Sequence, residues 1–159
     1  MVVYTDVEIS QFINEAKILP DNYYDVLITQ LKIKGAFKRS TLEVRGSEQN
    51  VYHIDIRQST QYNRDFSVIL RVEQRLTTGY FILRRYNGSS HWHTNVIEGE
   101  SAFRSFHIHH ATQRYQEIDR KPEHYAEPTD RYSDIVTALD CMIDDCGFIR
   151  PSNNRRRLI

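Results

Sequence analysis

The sequence predicts an α+β fold, a single curved antiparallel β-meander of about five strands with N-terminal and C-terminal helices packed on one face. Three observations predict it. Apolar residues recur at helical spacing near each end of the chain. Between those ends the apolar period changes to two, over several short runs. Polar stretches such as GSEQN separate the runs and read as turns, as in a meander.

Taken in order, Thr5 or Asp6 caps the first helix, whose core face is Ile9, Phe12, Ile13 and Ala16. Leu19-Pro20 closes it, because a residue before proline leaves the α region. Residues 21–40 are ambiguous, with 26–33 fitting a strand or a second helix. Leu42 and Val44 then alternate with polar neighbours, as do Tyr52, Ile54 and Ile56, and then Phe66, Val68, Leu70 and Val72, with Ile69 breaking the last pattern. Residues 78–86 form a strand that is apolar on both faces near Phe81–Leu83. Phe106 and Ile108 alternate with His107 and His109. Residues 111–130 lack periodicity, contain Pro122 and Pro128, and read as a loop. The last helix starts near Thr129 or Asp130, carries Tyr132, Ile135, Val136, Leu139, Met142, Ile143 and Cys146 as its apolar stripe, and ends at Gly147. Residues 1–150 thus form one domain, and 151–159 a flexible basic tail.

Composition narrows the function classes. Lys+Arg and Asp+Glu both number 21, so no global charge drives the chain onto nucleic acid, and only a local basic patch can serve that end. No apolar run is long enough to cross a bilayer, and MVVYTDVEIS lacks the basic flank and apolar core of a secretion signal. Cys141 and Cys146 lie five apart in one predicted helix, pointing to different sides of it, so they are poorly placed to bridge. A reduced, cytoplasmic setting is expected.

The chemistry-bearing feature is FILRRYNGSSHWHTNVIEGESAFRSFHIHHATQRY, which holds five of the seven histidines. Residues i and i+2 of a strand share a face. His91 and His93 therefore point together, and so do His107 and His109, on the face away from Phe106 and Ile108; His110 turns the other way. Where the two segments pair, four imidazoles converge, and His53, Asp55 and Arg57 lie on the polar face of an earlier strand. Three chemistries use such a patch. The imidazoles can ligate Zn or another transition metal. Two histidines can divide base and acid roles in phosphodiester cleavage without metal, with Arg84, Arg85, Arg104 or Arg114 stabilising the phosphorane. His, Arg and aromatic groups can also hold a protein or nucleic-acid partner without turnover. A lone His-x-His on a half-exposed strand is ordinarily a solvated face; two pairs within twenty residues point to a site.

The run from Tyr80 to Phe148 carries a resemblance. Arg85-Tyr86-Asn87 at a strand end, a short loop, the pair His91 and His93, then Tyr125, Thr129 and a helix over 130–146 resemble the layout of TumE-type toxins of toxin–antitoxin pairs. FHIHHATQRYQE and YAEPTDRYSDIVTALDCMIDDCGF are similar to proteins of mobile-element character in bacterial genomes. The resemblance implies an intracellular toxin or defence protein acting on RNA and neutralised by a helix-turn-helix partner. It carries over onto His91, His93, Arg85 and Tyr86. The expected reading is a metal-independent endoribonuclease, with His93 and His107 as the acid–base pair, His91 and His109 assisting, and Arg85, Tyr86 and Arg114 on the substrate. In the alternative, His91, His93, His107 and His109 ligate metal.

Overall fold

The computed structural model describes residues 1–152. Helix α1 (Asp6–Asn14) starts at a capping box in which Thr5 and Glu8 satisfy each other's backbone N–H. A two-residue strand β1 (Lys17–Ile18) follows, then one π-helical turn over Asp25–Thr29, closed by Gln30 N–H donating to the Asp25 carbonyl. The ambiguity of residues 21–40 has its origin there, since one π turn and a short strand have neither helical nor strand periodicity.

The main sheet has seven antiparallel strands in chain order: β2 (Lys32–Lys34), β3 (Phe37–Arg45), β4 (Val51–Ser59), β5 (Phe66–Glu73), β6 (Tyr80–Asn87), β7 (His107–His110) and β8 (Tyr125–Pro128). The meander is as expected; the count exceeds the expected five by the two edge strands. Physical reasons hide both. All three residues of β2 are exposed, so no inward–outward alternation marks it. The strand β8 is four residues long and ends in Pro128, a residue tolerated only at a sheet edge or strand end. The expected loop over 111–130 also holds a five-residue helix α2 (Gln113–Glu117), too short to show a period.

Residues Ile54, Ile56, Val68, Leu70, Val72, Leu83 and Tyr86 form the inner face of the sheet, all essentially buried. Helix α3 (Ile135–Asp145) covers β5 and β6, and α1 covers β6, so the helices do pack on one face. The C-terminal helix begins later than expected, at the Asp134 cap and its box with Thr137. Residues 129–134 instead lead into it, with Tyr132 buried and its hydroxyl donating to the Asn87 and His107 carbonyls at 2.7 and 2.9 Å. Gly147 adopts φ +77°, the left-handed C-terminal position that glycine accepts without strain. A final strand β9 (Phe148–Ile149) pairs in parallel with β1, bringing the ends of both long helices together.

One irregularity matters for the site. The β5–β6 register shifts at Leu70/Arg71, leaving Leu83 as an extra residue on β6. The run Phe81–Leu83 looks apolar on both faces because Ile82 faces outward opposite Arg71 while Phe81 and Leu83 are buried, and the bulge falls at its end. The bulge re-phases the strand, so that Arg84 and Tyr86 pair with inward Leu70 and Val68, while Arg85 pairs with Ile69 on the outer face. Among the described residues no helix is long and apolar enough to cross a membrane. Both cysteines are buried and free. The basic tail expected over 151–159 lies, beyond Ser152, outside the described residues.

Candidate functional site

Strand β7 alternates as its sequence requires. Ile108 is buried inward, and His107 and His109 project outward opposite Asn87 and Arg85 of β6. The segment after β6 folds back over this strand, held by reciprocal backbone hydrogen bonds between His93 and Phe103 at 2.8 and 2.9 Å. Asn95 then docks on the sheet edge, its amide both donating to and accepting from the Ala126 backbone at 2.8 and 2.9 Å. The His93 ring consequently lies 5.8 Å from His107 (near-parallel, 14°), 4.9 Å from His109 and 5.0 Å from His124, centroid to centroid. The predicted convergence of the two histidine segments is present for His93, His107 and His109. His124 completes the cluster; it stands in the aperiodic stretch before β8, and nothing in its local sequence signals its place. His91 does not join, and His53 lies elsewhere on the sheet.

Each clustered imidazole donates one ring N–H to an oxygen that can only accept. His107 Nδ1 meets the Ser105 carbonyl, His109 Nδ1 the Glu123 carbonyl, His93 Nε2 the Asn95 Oδ1, and His124 Nε2 the Thr94 carbonyl. That fixes the tautomers. Burial holds the His93, His107 and His109 pKa values below the ordinary value, His109 down to about 3, and the neighbouring histidines add to the effect. At neutral pH these three rings are uncharged, so none is a stocked general acid. The donor nitrogens of the four are not gathered as closely as metal ligands require. Among the described residues, the group with three donor atoms within 4.8 Å of one another is Glu43, His53 and Glu73.

The expected substrate residues have other partners. Arg85 pairs with buried Glu123 at 3.0 Å. Arg114 pairs with Glu98 at 2.6 Å and lies over the Tyr125 ring. Tyr86 faces the helices and donates to Asp145 Oδ2 at 2.6 Å, with Arg131 forked on the same carboxylate.

His91 occupies a different setting. It stands at a groove of about 940 Å³ formed where the start of β5, the loop after β6 and residues 104–106 meet. Gly88 makes this possible. A Cβ there would collide with the Arg64 carbonyl, so only glycine lets the two segments close. Ser89 N–H then donates to that carbonyl at 3.0 Å. The groove carries Arg64, Asp65, Ser89, Ser90, His91 and Arg104 above an aromatic floor of Phe106 and Tyr132. The His91 side chain is 77% exposed and its Nε2 is 4.0 Å from Asp65 Oδ1. That carboxylate oxygen is buried, faces Arg57 at 3.6 Å, and makes no hydrogen bond among the described residues. Arg64 lies over the Phe106 ring, and Arg104 reaches the Ser89 carbonyl at 3.3 Å. Sequence reasoning singled out His91 but missed Asp65 and Arg64, which sit in the polar turn before β5, well ahead of the histidine-rich run.

Chemically, the groove offers an exposed imidazole backed by a carboxylate, two guanidinium groups and flat aromatic surface. No known family model, characterised protein sequence or solved structure matches this chain.

Proposed function

We propose that the chain is an endoribonuclease of toxin type that cleaves single-stranded RNA in this groove, with His91 as the general base. The single observation that supports the reading most is the His91–Asp65 pair in one groove with Arg64 and Arg104. The Asp65 carboxylate, 4.0 Å from Nε2, favours the charge that the imidazole gains when it takes a proton. His91 takes the proton of a ribose 2′-hydroxyl, and the 2′-oxygen attacks the adjacent phosphorus. Arg64 and Arg104 face the charge that develops on the phosphorane oxygens. The P–O5′ bond breaks, the 5′-oxygen leaves with a proton from water in the open groove, and a 2′,3′-cyclic phosphate remains. The exposed Tyr62 and half-buried Phe106, which line the groove, supply stacking surface for unpaired bases. This assignment keeps His91 of the expected catalytic set and moves the acid–base work away from His93 and His107, whose neutral, sheltered rings suit a structural role.

Arg104→Ala is expected to slow cleavage of a labelled single-stranded RNA by about 100-fold or more, the usual cost of losing a group that faces developing charge. Cleavage should persist in a chelator and yield cyclic-phosphate ends. An Arg104→Ala protein as active as wild type, or no cleavage of any single-stranded RNA by wild type, would remove this reading.

A further inference from the structure

We propose that Glu43, His53 and Glu73 form a binding site for a first-row divalent cation of the Zn²⁺ type, separate from the groove. The three residues stand on adjacent strands of the outer sheet face. Glu43 lies directly opposite His53 in the β3–β4 register, and Glu73 lies on β5 diagonally beyond it. His53 Nε2 is 2.8 Å from Glu73 Oε2 and 3.9 Å from Glu43 Oε1. The donor atoms are thus gathered, and a small movement of the exposed Glu43 and half-buried Glu73 closes them on an ion. Zn²⁺ would take the position of the proton that Nε2 now shares with Glu73.

The surroundings favour a cation over a simple ion pair. The His53 side chain is 12% exposed, and its ring is held edge-on against Tyr80 at 5.2 Å. Arg71, the nearest guanidinium on the facing strand, is engaged by Asp55 and stacked 3.9 Å above the Tyr80 ring. Two carboxylates therefore meet one imidazole that is neutral unless protonated, with no guanidinium between them. One nitrogen and two carboxylate oxygens suit Zn²⁺ or Mn²⁺, and they leave further coordination positions open to water. Bound there, the ion would tie β3, β4 and β5 together. Asp65 and Glu73 stand at opposite ends of β5, so the two sites are roughly 25 Å apart at the usual rise per strand residue.

Titration calorimetry of untagged protein with Zn²⁺ tests the proposal, alongside Glu73→Gln, His53→Gln and His107→Ala/His109→Ala. Wild type and the double variant should bind one equivalent. Glu73→Gln changes a surface group only, so it stays folded, and it should weaken binding by at least about 10-fold, the cost of losing even an outer partner of a metal site. His53→Gln should do the same. Absence of Zn²⁺ binding by wild type would overturn the proposal. So would full-strength binding by Glu73→Gln, or loss of binding in the His107→Ala/His109→Ala protein alone.

Discussion

Lys17→Met is expected to lower the free energy of unfolding by about 3 kcal/mol or more, a large share of the 5–15 kcal/mol that holds an ordinary domain together. The Lys17 side chain is wholly buried. Its ammonium donates to the carbonyls of Phe12, Ile13, Glu15 and Cys146 at 2.7, 3.1, 2.8 and 2.7 Å. Three of these belong to the end of α1 and its cap or neighbour, and one caps α3, so a single cation satisfies the orphan carbonyls of both helices and sits at the negative ends of their dipoles. It also lies 4.4 Å over the Tyr52 ring. Burial pushes its pKa down to about 8, so it keeps its proton at neutral pH. Methionine fills the space without donating. Each buried carbonyl left unpaired costs about 1–3 kcal/mol, offset in part because the ammonium no longer has to be desolvated. Urea unfolding at pH 7 measures the difference. A loss under about 1 kcal/mol would mean that water reaches these carbonyls.

Acid should unfold the protein well before its carboxylates titrate. His109 is held down to about 3 by burial, then by His107, His93 and Arg85; His110 is held down to about 4 by burial, then by Arg84. Both groups titrate near 6.5 when unfolded. Because the folded values are the lower ones, the unfolded chain binds more protons below pH 6.5. The stability these rings contribute is complete above that pH and is lost as pH falls from 6.5 toward 4 and 3. Between pH 7 and 5 each costs about 2 kcal/mol, so the pair removes about 4. His93 and His107, whose values are also lowered by burial, act in the same direction. Urea midpoints at pH 7 and 5 should differ accordingly, with about two protons taken up on unfolding. Equal midpoints would show these rings to be open to water.

The features legible in the sequence were those with a period. The capped first helix, the alternating strands β3 to β5 and the stripe of α3 each show their buried face residue by residue. The strand β2 has no buried face, β8 is short and ends in proline, and the β6 bulge reverses a phase that the sequence alone cannot count. The site was legible in the same uneven way. His107 and His109 follow from alternation in β7, and their meeting with His93 follows once the segment after β6 folds back. His124 and the Arg64–Asp65 turn are brought in by long-range closure, through Asn95 on Ala126 and Gly88 against Arg64, and no local pattern encodes either. Lys17 sits next to an exposed-looking helix end in the sequence, yet it is among the most buried side chains.

The most direct test of the functional account compares wild type, His91→Ala and His93→Ala in single-turnover cleavage of a labelled single-stranded RNA. The account predicts that His91→Ala slows the chemical step by about 10²–10⁴-fold, the contribution of a positioned base, with the fold intact because the side chain is exposed. It predicts that His93→Ala, if folded, cleaves at close to the wild-type rate. Unimpaired cleavage by His91→Ala, with loss confined to His93→Ala, would contradict it and return the chemistry to the histidine cluster.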